Sequence, residues 1–114
     1  MNLKFSTEYG EIEVSAQALK GLIREAMVNS YGVVDLSNPS VLSSVVSIFS
    51  DVDKGIKMVD DGMDIKVDIY VVVEYGTNIP QVAKNLQDSV IYNLTTYAGR
   101  KPSEVNVHVV DVSF

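Results

Sequence analysis

The chain holds one histidine, His108, and no cysteine. Catalysis or metal binding would have to be assembled from that imidazole, the carboxylates and the hydroxyls. His108 lies in VNVHVVDV, where Val105, Val107 and Val109 alternate with Asn106, His108 and Val110. On a neighbouring strand Asp68 could pair with it. An Asp–His pair does nucleophilic chemistry only if it can deprotonate a serine or cysteine. No GxSxG elbow supplies one, so a strand histidine exposed on the outer face is the simpler reading. Aspartates gather in DVDKG and DDGMD, which bring Asp51, Asp53, Asp60, Asp61 and Asp64 close in sequence. A calcium loop of the EF-hand type needs glycine at its sixth position and glutamate at its twelfth. Counted from Asp51, Gly55 comes one place early and Gly62 stands where the glutamate should be. These aspartates are therefore read as solvated turn residues, and no metal site is expected. The last candidate is Gly76 in VVVEYGTNIPQ, a glycine between a strand and a helix. Phosphate loops place several glycines there, with a GxGxxG or GxxxxGK[ST] pattern, and neither is present. Gly76 reads as a turn that hands the chain to a Thr or Asn helix cap. No catalytic residue and no cofactor are expected.

Composition narrows the classes further. A chain of 114 residues can build one core but not two, so residues 1–114 are expected to form one domain. The net charge is −6, and the nine Lys and Arg residues are scattered, with Arg100–Lys101 the adjacent pair. Such a surface repels a phosphate backbone, which excludes nucleic acid as an expected partner. The opening MNLKFSTEYGEIEV has no apolar signal region, and no apolar run approaches the roughly 20 residues of a membrane span. The absence of cysteine fits a reducing cytoplasm.

The elements that position these residues follow from periodicity. LKF and EIEV alternate as strands do, separated by turn-rich STEYGE, which gives an N-terminal hairpin. Ser15 is placed to cap a helix bearing Leu19, Leu22, Ile23 and Ala26, with Gly32 ending it. In the 37–55 connection Leu42, Val45, Val46 and Phe49 recur at helical spacing, predicting a short extra helix. Asp61–Gly62 predicts the turn of a second hairpin, whose long strand points Ile65, Val67, Ile69, Val71 and Val73 to one side. A second main helix starts near Asn78 with Pro80 in its first turn. Its stripe is Val82, Ala83, Leu86, Val90, Leu94 and Tyr97, and Gly99 stops it. A strand–helix–strand unit of this kind places its two strands in parallel. The expected fold is α+β: one mixed β-sheet with two main helices packed on one face.

The other face of that sheet carries the candidate site. Val59, Tyr70, Val72, Val110 and Val112 are interspersed there with Lys66, Asp68 and His108. Aromatic and aliphatic side chains on an otherwise wet face mark a contact surface. These eight residues are the expected partner-binding set.

The order YGEIEVS, SYGVVDL, KGIKM, IKVDIYVVVEYGTNIPQVAKNLQDSV and VNVHVVDV resembles the alkaline shock protein family of Gram-positive bacteria, also called envelope stress response proteins. The likeness runs over residues 8 to 112, and the short tail resembles the compact housekeeping branch. It implies a cytoplasmic, non-enzymatic protein of cell-envelope homeostasis and stress response. It also implies self-association and docking to an integral membrane partner, or to an enzyme of fatty-acid and lipid metabolism. The family has no established catalytic residues to carry over. A domain that itself binds a small ligand or acyl group, in a pocket under residues 41–49, is the alternative.

Overall fold

The computed structural model describes residues 2–34, 55–60 and 64–114. Along the chain these form β1 (Asn2–Thr7), β2 (Gly10–Ser15), α1 (Ala16–Asn29), β3 (Ile56–Asp60), β4 (Ile65–Glu74), α2 (Ile79–Tyr97) and β5 (Glu104–Ser113). The fold is α+β. β4 is the centre of a mixed three-stranded sheet, antiparallel to β3 and parallel to β5. β1 and β2 form a separate antiparallel hairpin rather than extending that sheet. The helix expected in the 37–55 connection lies outside the described residues.

Local chemistry accounts for the element ends. The Ser15 hydroxyl accepts a hydrogen bond from the Ala18 amide, 3.1 Å away, which satisfies one of the orphan donors that begin α1. Asn78 does the same for α2, with its side chain accepting from the Gln81 amide at 3.1 Å. Between β4 and α2 the Glu74 carbonyl accepts from both the Thr77 amide and its hydroxyl, closing a turn in which Gly76 takes φ +92°. Gly76 is thus a turn residue, and the cap that follows it is an asparagine. At the far end of α2, Gly99 takes φ +73° and turns the Arg100 amide back onto the Leu94 carbonyl.

The core lies between the sheet and the two helices. Ile65, Val67, Ile69, Val71 and Val73 of β4 are each at most 1 % exposed. They meet Leu19, Ile23, Ala26 and Met27 from α1 and Val82, Leu86, Val90 and Leu94 from α2. Leu3 of the hairpin joins the same cluster, and Phe5 and Val14 pack on its margin. α1 and α2 run antiparallel: Gly32, just past α1, meets Val82 near the start of α2, whereas Asn93 near its end reaches Leu22.

The Asp61–Gly62 turn expected between β3 and β4 lies outside the described residues. Two details differ from the sequence expectation. Tyr97, expected in the buried stripe of α2, is 65 % exposed, and Ala98 is the buried residue at that end. More consequential is the pairing of β4 with β5. Val71 pairs with Val109, but Val72 pairs with Asp111, which leaves Val110 as an extra residue in a β-bulge. Beyond it the alternation of β5 inverts. Val112 pairs with buried Val73 and packs on the core margin, while Asp111 takes the outer position.

Candidate functional site

The outer face of the three-stranded sheet brings together most of the residues expected there. Tyr70 and His108 are direct cross-strand partners, and their rings stack with centroids 4.6 Å apart at 15°. Asp68, one position along the same face, holds His108 Nε2 at 2.9 Å from its Oδ1. A carboxylate only accepts, so Nε2 carries the hydrogen of this bond, which orients the imidazole. The pair is accessible, with side-chain exposures of 44 % for His108 and 26 % for Asp68. Among the described residues, those paired or adjacent to it on this face are Lys57, Lys66, Tyr70 and Asn106. None is a serine, threonine or cysteine that His108 could activate. Val59 stands beside Lys66 and is 46 % exposed.

The remaining three residues of the expected set are placed otherwise. Val72 is buried at 4 % exposure, with the Val34 amide bonded to its carbonyl along the edge of β4. Val110 is the bulge residue and is half-buried, and Val112 has moved to the helix side. The bulge is the physical cause for the last two: one extra residue reverses which face each later side chain takes. The exposed surface is therefore narrower and more polar than alternation predicts.

A second feature lies on the opposite side of the molecule. A cavity of about 440 Å³ runs along the solvent side of the α1–α2 junction. α2 contributes Asn85, Ser89, Asn93 and Tyr97, spaced four residues apart and so aligned on one helix face. α1 contributes Leu22, Glu25, Ala26 and Asn29, with Tyr31 beyond its end. The polar groups are held in place. Asn93 donates across to the Leu22 carbonyl at 3.0 Å, and Asn29 donates to Glu25 Oε1 at 2.8 Å. Gln81 donates to Asn85 Oδ1 at 2.8 Å. Asparagine in a helix interior costs roughly 0.5–0.7 kcal/mol relative to alanine. Helical stability alone would not choose it at both Asn85 and Asn93.

Among the described residues no three His, Asp or Glu side chains are grouped to hold a metal ion. No helix among them is long and apolar enough to cross a membrane.

Comparison with known proteins bears on the whole of this architecture. A family model described as the ASP23 family, cell envelope-related function, matches residues 4–114. The chain belongs to the ASP23 family. This is the alkaline shock protein family that the sequence resembles. Similar curated proteins are the uncharacterized protein YloU of Bacillus subtilis (strain 168), at 28 % identity across 98 % of this chain and 96 % of that protein. The uncharacterized protein Spy1614 of Streptococcus pyogenes serotype M6 is 29 % identical across 98 % of this chain and 95 % of that protein. The uncharacterized Bacillus subtilis protein YqhY is 30 % identical across 95 % and 81 %. No solved structure matches the chain.

In this ASP23-family chain the sheet face could be anticipated from period-two alternation, and the groove could not. Its signal was nonetheless present. Gln81, Asn85, Ser89, Asn93 and Tyr97 recur every four residues, one position before the core stripe Val82, Leu86, Val90 and Leu94 at all but the last. An uncharged polar ladder bordering an apolar stripe differs from the charged face of an ordinary surface helix. What it borders became visible only when α1 lay beside it.

Proposed function

We propose that this ASP23-family protein is a non-enzymatic, cytoplasmic adaptor in cell-envelope homeostasis and stress response. It acts by self-association and by docking a membrane-anchored or enzymatic partner through the outer sheet face. The observation that carries this reading is the Asp68–His108–Tyr70 arrangement. It presents an accessible aromatic stack, fixed by a 2.9 Å hydrogen bond, on the two longest strands. Contact residues already locked in one geometry lose little entropy when a partner covers them. The cell envelope-related description of the family supports the setting.

The alternative, a domain that binds an acyl group, calls for an apolar cavity between helices and sheet. The pocket expected for it under residues 41–49 lies outside the described residues. The α1–α2 cavity opens on the other side of the helices and mixes Asn, Ser and Tyr side chains with Leu22 and Ala26, a wall less apolar than a hydrocarbon chain calls for. The adaptor reading is tested by light scattering behind size exclusion on the wild-type protein, Tyr70→Glu and His108→Ala, with circular dichroism to follow folding. A wild-type multimer, with folded and smaller species in both variants, is the expected result. A multimer that survives both substitutions would remove this face from the account.

A further inference from the structure

The α1–α2 groove is the feature that the adaptor reading leaves unused. We propose that it is a binding site for a neutral, polyhydroxylated ligand: a short oligosaccharide, free or as the head of a lipid.

The hydrogen-bonding inventory comes first. Asn93 uses its amide nitrogen on Leu22, which leaves its Oδ1 as an acceptor, while Asn85 accepts from Gln81 and keeps its Nδ2 as a donor. Ser89, between them on the same face, adds a hydroxyl that can do either. Glu25, steadied by Asn29, adds an acceptor from the facing helix. Sugar hydroxyls both donate and accept, and neighbouring ones are best met by such closely spaced mixed groups. A ligand with one kind of polar group would leave half of these unmatched.

Charge excludes the main competitors. Among the described residues no Lys or Arg lines the groove, and the chain carries −6 overall, so phosphates, sulfates and carboxylates find no counter-charge there. One carboxylate, already hydrogen-bonded, is a poor basis for a cation site.

The aromatic residues supply the remaining component. Tyr31 is 83 % exposed and Tyr97 is 65 % exposed, and the antiparallel helices put them at opposite ends of the groove. Tyr97 is oriented by an edge-to-face contact with Tyr92, centroids 6.1 Å apart at 86°. An exposed aromatic ring offers a flat apolar surface to the C–H face of a pyranose, with its hydroxyl available to solvent or ligand. Leu22 and Ala26 add apolar surface from α1. From Asn85 to Tyr97 the helix rises about 18 Å, long enough for several sugar rings in a row. The cavity volume of about 440 Å³ falls within the range of small-molecule sites.

The test uses the full chain, labelled with ¹⁵N and titrated with maltotriose, triacetylchitotriose and dodecyl maltoside. Shifts confined to the backbone around Leu22–Tyr31 and Asn85–Tyr97 and to the Asn85 and Asn93 side-chain amides are expected. Tyr97→Ala should weaken binding about tenfold, as expected for loss of one aromatic contact. Ser89→Gln, which lengthens a side chain into the groove without changing charge, should abolish it and guards against a folding artefact in the first variant. Binding of a free trisaccharide would indicate a soluble ligand. Binding of the alkyl glycoside alone, still sensitive to both substitutions, would indicate a lipid-linked one. No groove-centred shifts with any of the three, or shifts unmoved by both substitutions, would overturn the proposal.

Discussion

The outer sheet face and the interhelical groove are both accessible, yet they are organised by different physics. The sheet face joins residues distant in the chain: the hydrogen bond from His108 to Asp68 spans 40 positions and depends on the β4–β5 register. The groove is organised mainly along one helix, by a ladder at four-residue spacing with one principal tie, Asn93 to Leu22, across to α1. One surface is therefore sensitive to register and the other to helix docking. Sequence alternation exposes the first kind and can be misled by one bulge. The second kind shows itself only as polar residues where propensity would not choose them.

The strongest way to break this contrast is to remove what lies beneath both surfaces. Leu86 is fully buried, on α2 one residue after the groove's Asn85 and packed in the cluster that includes the inner side of β4. Leu86→Ala should destabilise the protein by about 2–5 kcal/mol, read as a lower midpoint in urea. Both surfaces should then lose order together in a single transition. A smaller effect is expected at the junction of the two halves. Gly32 has φ +83°, and a Cβ there would lie 2.9 Å from Val82 Cγ2. Gly32→Ala should cost about 1–3 kcal/mol, measured by the same unfolding series, and should loosen the start of α2 before the Tyr70–His108 stack. The smallest effect sharpens the groove itself. Asn93→Ala removes a cross-helix hydrogen bond of about 1 kcal/mol and recovers about 0.6 kcal/mol of propensity, a slight net loss. Asn85→Ala, whose bond lies along its own helix on the exposed side, should be neutral or stabilising by about 0.5 kcal/mol. Thermal melts of the two variants side by side check the difference in sign.

Much of the architecture is legible before any coordinates. Alternation from Ile65 to Ile69, continued at the same parity by Val71 and Val73, identifies β4, because each inward residue is branched and apolar. Ser15, Asn78, Pro80 and Gly99 mark the helix ends, because each has a local reason to be there. What the sequence does not show is non-local. In VNVHVVDVSF the doubled valine at Val109–Val110 inverts the phase of the alternation, a mark that the simple parity reading passed over, while the bulge itself is defined by what β4 pairs with. Val72 reads as an outer residue by parity, and its burial depends on the surrounding fold. The same holds for the hairpin. EIEV and LKF announce two strands, yet only packing decides that Leu3 enters the common core while Ile12 remains 53 % exposed. The groove residues were visible as types and invisible as a site, because half of their surroundings come from a helix more than fifty positions earlier.

The fastening at Gly32 bears on the order of events in time. Its carbonyl accepts from the Glu74 amide and its bare Cα lies against Val82, so the segment after α1 is seated on β4 and α2 at once. Residues 65–113, by contrast, form a β-α-β unit that closes within one contiguous stretch, with the Ser103 amide bonded to the Ile65 carbonyl and the Tyr75 amide to that of Ser113. Contacts of shorter sequence separation cost less closure entropy. Pulsed hydrogen exchange during refolding should therefore protect residues 65–113 no later than α1, whose place on the core depends on contacts with that unit.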